Sequence, residues 1–82
     1  MKETTLEVGS NEKLSKLFGV FDENLNVLRA ELGVEIRVKG TTLSIEGERA
    51  ELCRTVLERL SALADAGETV DKTRLLYCVE LA

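Results

Sequence analysis

Apolar and polar residues alternate along this chain with two different periods. From Thr4 to Val8 they change places at every step, Leu6 and Val8 on one side, Thr5 and Glu7 on the other, which predicts a short half-buried strand. The "GSN" that follows breaks the alternation, and Ser10 or Asn11 offers an oxygen to cap a helix. In that helix Leu14, Leu17, Phe18 and Phe21 fall at helical spacing, with Gly19 near its end, where a left-handed backbone carries no Cβ penalty. Asp22 stands where it can cap a second helix running to about Leu32, with Leu25, Leu28 and Leu32 as its inner stripe and Val27 beside them; Gly33 stops it.

The period then returns to two. In "VEIRV" Val34, Ile36 and Val38 face inward and Glu35 and Arg37 outward; "KGTT" turns the chain; "LSIEG" points Leu43 and Ile45 inward. Two alternating runs joined by a glycine-bearing turn predict an antiparallel hairpin. From about Glu48 a third helix carries a broad stripe of Leu52, Cys53, Val56, Leu57, Leu60, Leu63 and Ala64, with Glu48 and Glu51 in its first turn, where the helix dipole favours acids, and Gly67 at its end. The remainder, "ETVDKTRLLYCVELA", places Leu75, Leu76 and Val79 at helical spacing behind a capping Thr69 or Asp71, although its β formers leave a strand open. The predicted architecture is α+β: strand, helix, helix, strand, strand, helix, a three-stranded sheet with helices on one face, plus a C-terminal tail helix. Residues 1–68 form the domain and 69–82 the tail. This order is that of KH-type nucleic-acid-binding modules.

Length and composition narrow the function. Eighty-two residues make one domain with a modest core. With Phe18, Phe21 and Tyr77 as its aromatics, that core must be aliphatic. The net charge of −4 opposes counterion-driven binding to a polyanion unless a local basic patch offsets it. No run is long and apolar enough for a bilayer, and Met1-Lys2-Glu3-Thr4-Thr5 lacks the apolar stretch of a secretory signal, so a cytoplasmic protein without a membrane partner is expected. Cys53 and Cys78 are far apart, and there is no histidine. They read as buried reduced thiols, and no metal site is expected.

The stretch "LFGVFDENLNVLRAELGVEIRVKGTTLSIEGE", followed by a leucine-rich helix, resembles the N-terminal KH-like domain of the PhoH family, bacterial proteins whose second domain is a P-loop ATPase. The likeness covers roughly residues 5–66; "FGVFDENL" and "LGVEIRVKG" are its most specific pieces, and Val20 stands where the family often has proline. The resemblance implies a non-catalytic accessory domain in phosphate-starvation or RNA metabolism. Its partner would be a downstream ATPase domain of the same protein, and ATP and Mg would bind only there. This chain has no G-x-x-x-x-G-K-[ST] segment, so the resemblance also implies a chain that stops before the ATPase, in keeping with the apolar ending "YCVELA".

KH modules grip single strands with a GXXG loop between their first two helices, whose amides approach phosphates. The corresponding residues here are Gly19, Val20, Phe21 and Asp22, with Glu23 next. Capping by Asp22 and the charge of both acids against a half-unit helix dipole predict a structural turn rather than a grip, with Phe21 turned inward. A weaker RNA surface would require Lys13 and Lys16 of the first helix and Arg37 and Lys39 of the second strand to border one groove, diluted by Glu12, Glu35 and Glu46 and without a stacking aromatic. No catalytic constellation is legible: adjacent Asp22 and Glu23 point apart, and nothing supplies an oxyanion donor. Three functions stay open, namely the accessory domain, an RNA-binding KH module, and a protein-interaction domain self-associating through Leu75, Leu76 and Val79.

Overall fold

A computed structural model describes residues 2–19 and 22–81. Its elements follow the order β1 (Glu3–Glu7), α1 (Asn11–Phe18), α2 (Glu23–Leu32), β2 (Glu35–Lys39), β3 (Thr42–Glu46), α3 (Ala50–Asp65) and α4 (Lys72–Leu81). The sheet has the order β1-β3-β2 and both ladders are antiparallel. This is the expected α+β, β-α-α-β-β-α architecture with helices on one face and a tail helix beyond it.

The period-2 segments select the faces. Leu43 and Ile45 of the central strand and Ile36 beside them are fully covered by the helices, while Thr42, Ser44, Glu46, Arg37 and Lys39 alternate with them onto the open side. Leu17, Leu28, Val56, Leu57, Leu60 and Leu75 supply most of the helical half of the core. α3 lies on β1 and β3 and packs against α1 and α4; α2 covers β2 and touches both α1 and α4. At Gly33 the backbone turns left-handed (φ 63°) and its N–H closes α2 on the Arg29 carbonyl at 2.9 Å.

Three expectations are corrected. Val38 is 45% exposed rather than inward, because it lies at the hairpin end of an edge strand that the helix layer leaves uncovered. Glu48 precedes α3 instead of lying in its first turn; a turn closed by Ala50 N–H on Gly47 O (3.1 Å) occupies that stretch, and Glu51 is the acid of the first turn. Leu75 does not belong to an exposed tail face, since it is fully buried, with Leu76 and Val79 half-buried against the core. The tail is helical, and Asp71 Oδ1 caps it by accepting from Arg74 N at 2.9 Å. Cys53 and Cys78 are buried free thiols, and burial pushes Cys53 up to about 12.

A carboxylate fastens the start of the sheet to its hairpin. Glu7 accepts from the hydroxyls of Thr41 and Thr42 and from Gly9 N–H at 3.0 Å, and the two hydroxyl bonds foremost hold its pKa below the usual glutamate value. Its contribution to stability is present above the ordinary glutamate range and is lost as pH falls through the lower folded-state value. Glu7→Gln is therefore predicted to flatten the acid limb of a stability-versus-pH profile measured by urea denaturation. In the same assay Leu57→Ala, at a site with no exposure, should lower the unfolding free energy by about 2–5 kcal/mol. Val38→Thr should change it by about 0.5 kcal/mol or less.

Candidate functional site

The joint between α1 and α2 occupies the place of a strand-gripping loop, and its geometry begins with two unlike caps. Ser10 has an extended backbone (φ −153°, ψ 154°), and its hydroxyl accepts from Lys13 N at 3.2 Å, capping α1. Asp22 holds the matching position before α2, but with a left-handed backbone (φ 57°, ψ 30°) and no capping hydrogen bond. The expectation that Asp22 closes α2 by capping is thus corrected. A capping side chain reaches the first-turn amides from an extended backbone, and the left-handed turn aims it elsewhere. Among the described residues Asp22 is the one non-glycine with positive φ, a conformation that short polar side chains tolerate best.

The residue that organises the joint is Asn24. Only 3% exposed, it is the one buried polar side chain among the described residues, and its Nδ2 donates to Leu17 O at 3.0 Å and to Val70 O at 3.1 Å. One amide nitrogen thereby ties the end of α1, the start of α2 and the segment leading into α4. Gly19 closes α1 with φ 75° and its N–H on Ser15 O at 3.0 Å; a Cβ there would stand 3.2 Å from Asn24 Nδ2. The first glycine of the GXXG-like tetrapeptide is therefore required by packing against Asn24 as well as by backbone sign. Val20 and Phe21, including the expected inward turn of Phe21, lie outside the described residues.

Asn24 was missed in the sequence because polar residues are ordinarily assigned to the outer face. The signal was its spacing: it stands four residues before Leu28 and eight before Leu32, on the apolar stripe of α2. Above it lies an open groove of about 670 Å³, bordered by Lys16 and Lys72 but also by Glu23, Glu68 and Asp71. The two cations are outnumbered at its rim.

The four candidate RNA-contacting residues do not share that groove. Lys13 is held by Asp65 of α3 at 2.9 Å. Lys16 borders the groove from α1. Arg37 and Lys39 alternate with buried Ile36 and so emerge on the open side of the sheet, opposite the helices. A second groove, about 500 Å³, runs between α3 and α4; Leu63, Tyr77 and Leu81 line it with Arg59 and Arg74, the latter paired to Glu68 at 2.8 Å. Among the described residues no three His, Cys, Asp or Glu side chains gather as metal ligands, and no helix is long and apolar enough to cross a membrane.

Removing the donor leaves two buried carbonyls without it, so Asn24→Ala should lower stability by about 2–3 kcal/mol. Gly19→Ala should lower it by about 1–2 kcal/mol through backbone strain and the short Cβ contact. Chemical denaturation of both variants checks this; a loss within about 0.5 kcal/mol for Asn24→Ala would contradict the tie. Comparison of the chain with protein-family models, with curated proteins and with solved structures found no match in any of the three.

Proposed function

We propose that this chain is a non-catalytic accessory domain on a KH-type scaffold, of the kind that PhoH-family ATPases carry ahead of their P-loop domain, and that it acts in assembly by positioning a partner. The observation that carries this reading is the Asn24 bridge. A strand-gripping joint needs backbone amides free to meet phosphates. Here the start of α2 is fixed against the segment before α4 by the buried bond from Asn24 Nδ2 to Val70 O, and Asp22 and Glu23 put two negatively charged residues at that start. Repulsion between those acids and a phosphate outweighs the half-unit of positive charge at a helix end.

The distribution of cations supports the same reading. Lys13 is paired, Lys16 stands among acids, and Arg37 and Lys39 lie across the sheet from both. The four do not border one groove. The family resemblance of residues 18–25 and 32–40 supplies the accessory role, with ATP and Mg as ligands of the partner ATPase domain rather than of this one.

Two measurements test the proposal. Fluorescence anisotropy with a labelled single-stranded RNA should give no affinity tighter than about 10⁻⁴ M at physiological salt. A PhoH-type ATPase domain supplied in trans should form a complex with this chain on a sizing column. Micromolar RNA affinity that falls with added salt and is lost in Lys16→Glu would replace the accessory reading by a strand-binding module. Failure to associate with the ATPase domain would remove the accessory role itself.

A further inference from the structure

The backbone of the two edge strands can be followed outward from the central one. Val8 N–H donates to Thr41 O, and Gly47 N–H donates to Lys2 O. With the registers Leu6↔Leu43 and Thr4↔Ile45, Leu43 and Ile45 turn their backbone groups toward β1, and Thr42, Ser44 and Glu46 turn theirs toward β2. On β2, Glu35, Arg37 and Lys39 are consequently bonded to β3, while the N–H and C=O groups of Ile36 and Val38 point out of the sheet. Independent geometry agrees: Ile36 O accepts from Arg29 Nη2 at 2.8 Å, from outside the ladder.

We propose that this β2 edge receives the β2 strand of a second copy of the chain, antiparallel and centred on Arg37, and that Arg29 is the latch covering it. In that register Ile36 lies opposite Val38 of the other copy, so that the outward-pointing backbone groups of both strands find each other. On the same strands Glu35 lies opposite Lys39 twice over, two opposite-charge cross-strand pairs. The side chain of Val38, 45% accessible in the single chain, comes to lie opposite Ile36 of the second copy, whose own side chain is already covered by the helices. Arg37 meets its own counterpart at the two-fold axis, an unfavourable pair with Glu35 of the other copy on one diagonal and Lys39 on the other, so the net attraction of this face rests on the two direct Glu35–Lys39 pairs.

Charge inside the sheet favours the same edge. Glu3, Glu46 and Glu35 stand side by side across the three strands on the open face, a row of like charges that destabilises the sheet. A second copy brings Lys39 to the end of that row. The opposite edge offers the reverse: β1 paired with itself about Thr5 would set Glu3 against Glu7 twice, the usual device that keeps an edge strand single. One edge is complementary to itself and the other repels itself.

Arg29 holds the edge closed by one strong bond. Its Nη1 reaches Asn26 Oδ1 only at 3.5 Å, and its Nε is buried without a partner among the described residues. Swinging it aside frees the Ile36 carbonyl, and the five-residue strand then forms a small, reversible interface. Self-pairing at this edge is independent of whether the domain serves an ATPase.

Sedimentation equilibrium from micromolar to millimolar chain should show a reversible monomer–dimer equilibrium. Arg29→Met, which keeps the apolar stem and removes the donor, should tighten it. Glu35→Lys and Lys39→Glu each create two like-charge pairs and should weaken dimerisation about tenfold; the double variant restores complementarity and should recover it. All these side chains are exposed or half-buried, and circular dichroism confirms the fold of each variant. Arg37→Cys should yield a disulfide-linked dimer under mild oxidation, whereas Thr5→Cys at the centre of β1 should not. A chain that stays monomeric together with Arg29→Met, single charge variants without effect, a double variant that fails to recover, or a linked dimer from Thr5→Cys alone would each overturn the proposal. None of these outcomes bears on association with an ATPase domain.

Discussion

A single carboxamide fixes how the helices of this domain meet. Asn24 Nδ2 joins Leu17 O, seven residues behind it, to Val70 O, 46 residues ahead. In a core otherwise made, among the described residues, of aliphatic side chains, Phe18 and two thiols, a polar group without partners would be strongly unfavourable. With two acceptors in reach, it instead specifies one arrangement of α1, α2 and the approach to α4. Gly19 is the consequence at one end of the bridge, since a side chain there would press on the amide. At the other end Val70, buried at the entry to α4, is held in place by its own carbonyl. From there Asp71 caps α4 and Leu75 enters the core. The tail helix is thus part of the same packed unit as the joint that, in a strand-binding module, would face nucleic acid.

The sheet contributes a separate constraint. Its covered face is aliphatic and closes under α2 and α3, while its open face carries rows of charge set by register. Glu7 binds the turn hydroxyls and fastens β1 to the hairpin. Arg29 crosses from α2 to the carbonyl of Ile36 and blunts the outer edge of β2. These are polar contacts at the margins of an apolar core.

The fold was legible because each period in the sequence has one structural meaning. The alternation of Ile36 with Arg37, and of Leu43 and Ile45 with Ser44, named the covered face of the sheet, and the Leu25–Leu28–Leu32 spacing named the inner side of α2. Val38 escaped that logic because alternation reports which side a residue faces, not whether anything lies over it. Leu75 escaped it because sequence shows an apolar face without showing the helices that cover it. At the joint one detail differs from the sequence reading: capping by Asp22 follows from residue type only if the backbone is extended, and residue type does not fix the sign of φ at a short polar residue, which here is positive. Asn24 itself was hidden by its polarity, although its place four residues before Leu28 marked it as inward-facing.

The side-chain amide protons of Asn24 report the central claim directly, through their solvent-exchange rates and their nuclear Overhauser contacts in solution NMR. The bridge predicts slow exchange, contacts from the Asn24 amide to Val70 and Leu17, and no change in those signals when single-stranded RNA is added. Exchange at the rate of an exposed asparagine, or loss of the Val70 contact on adding RNA, would contradict it.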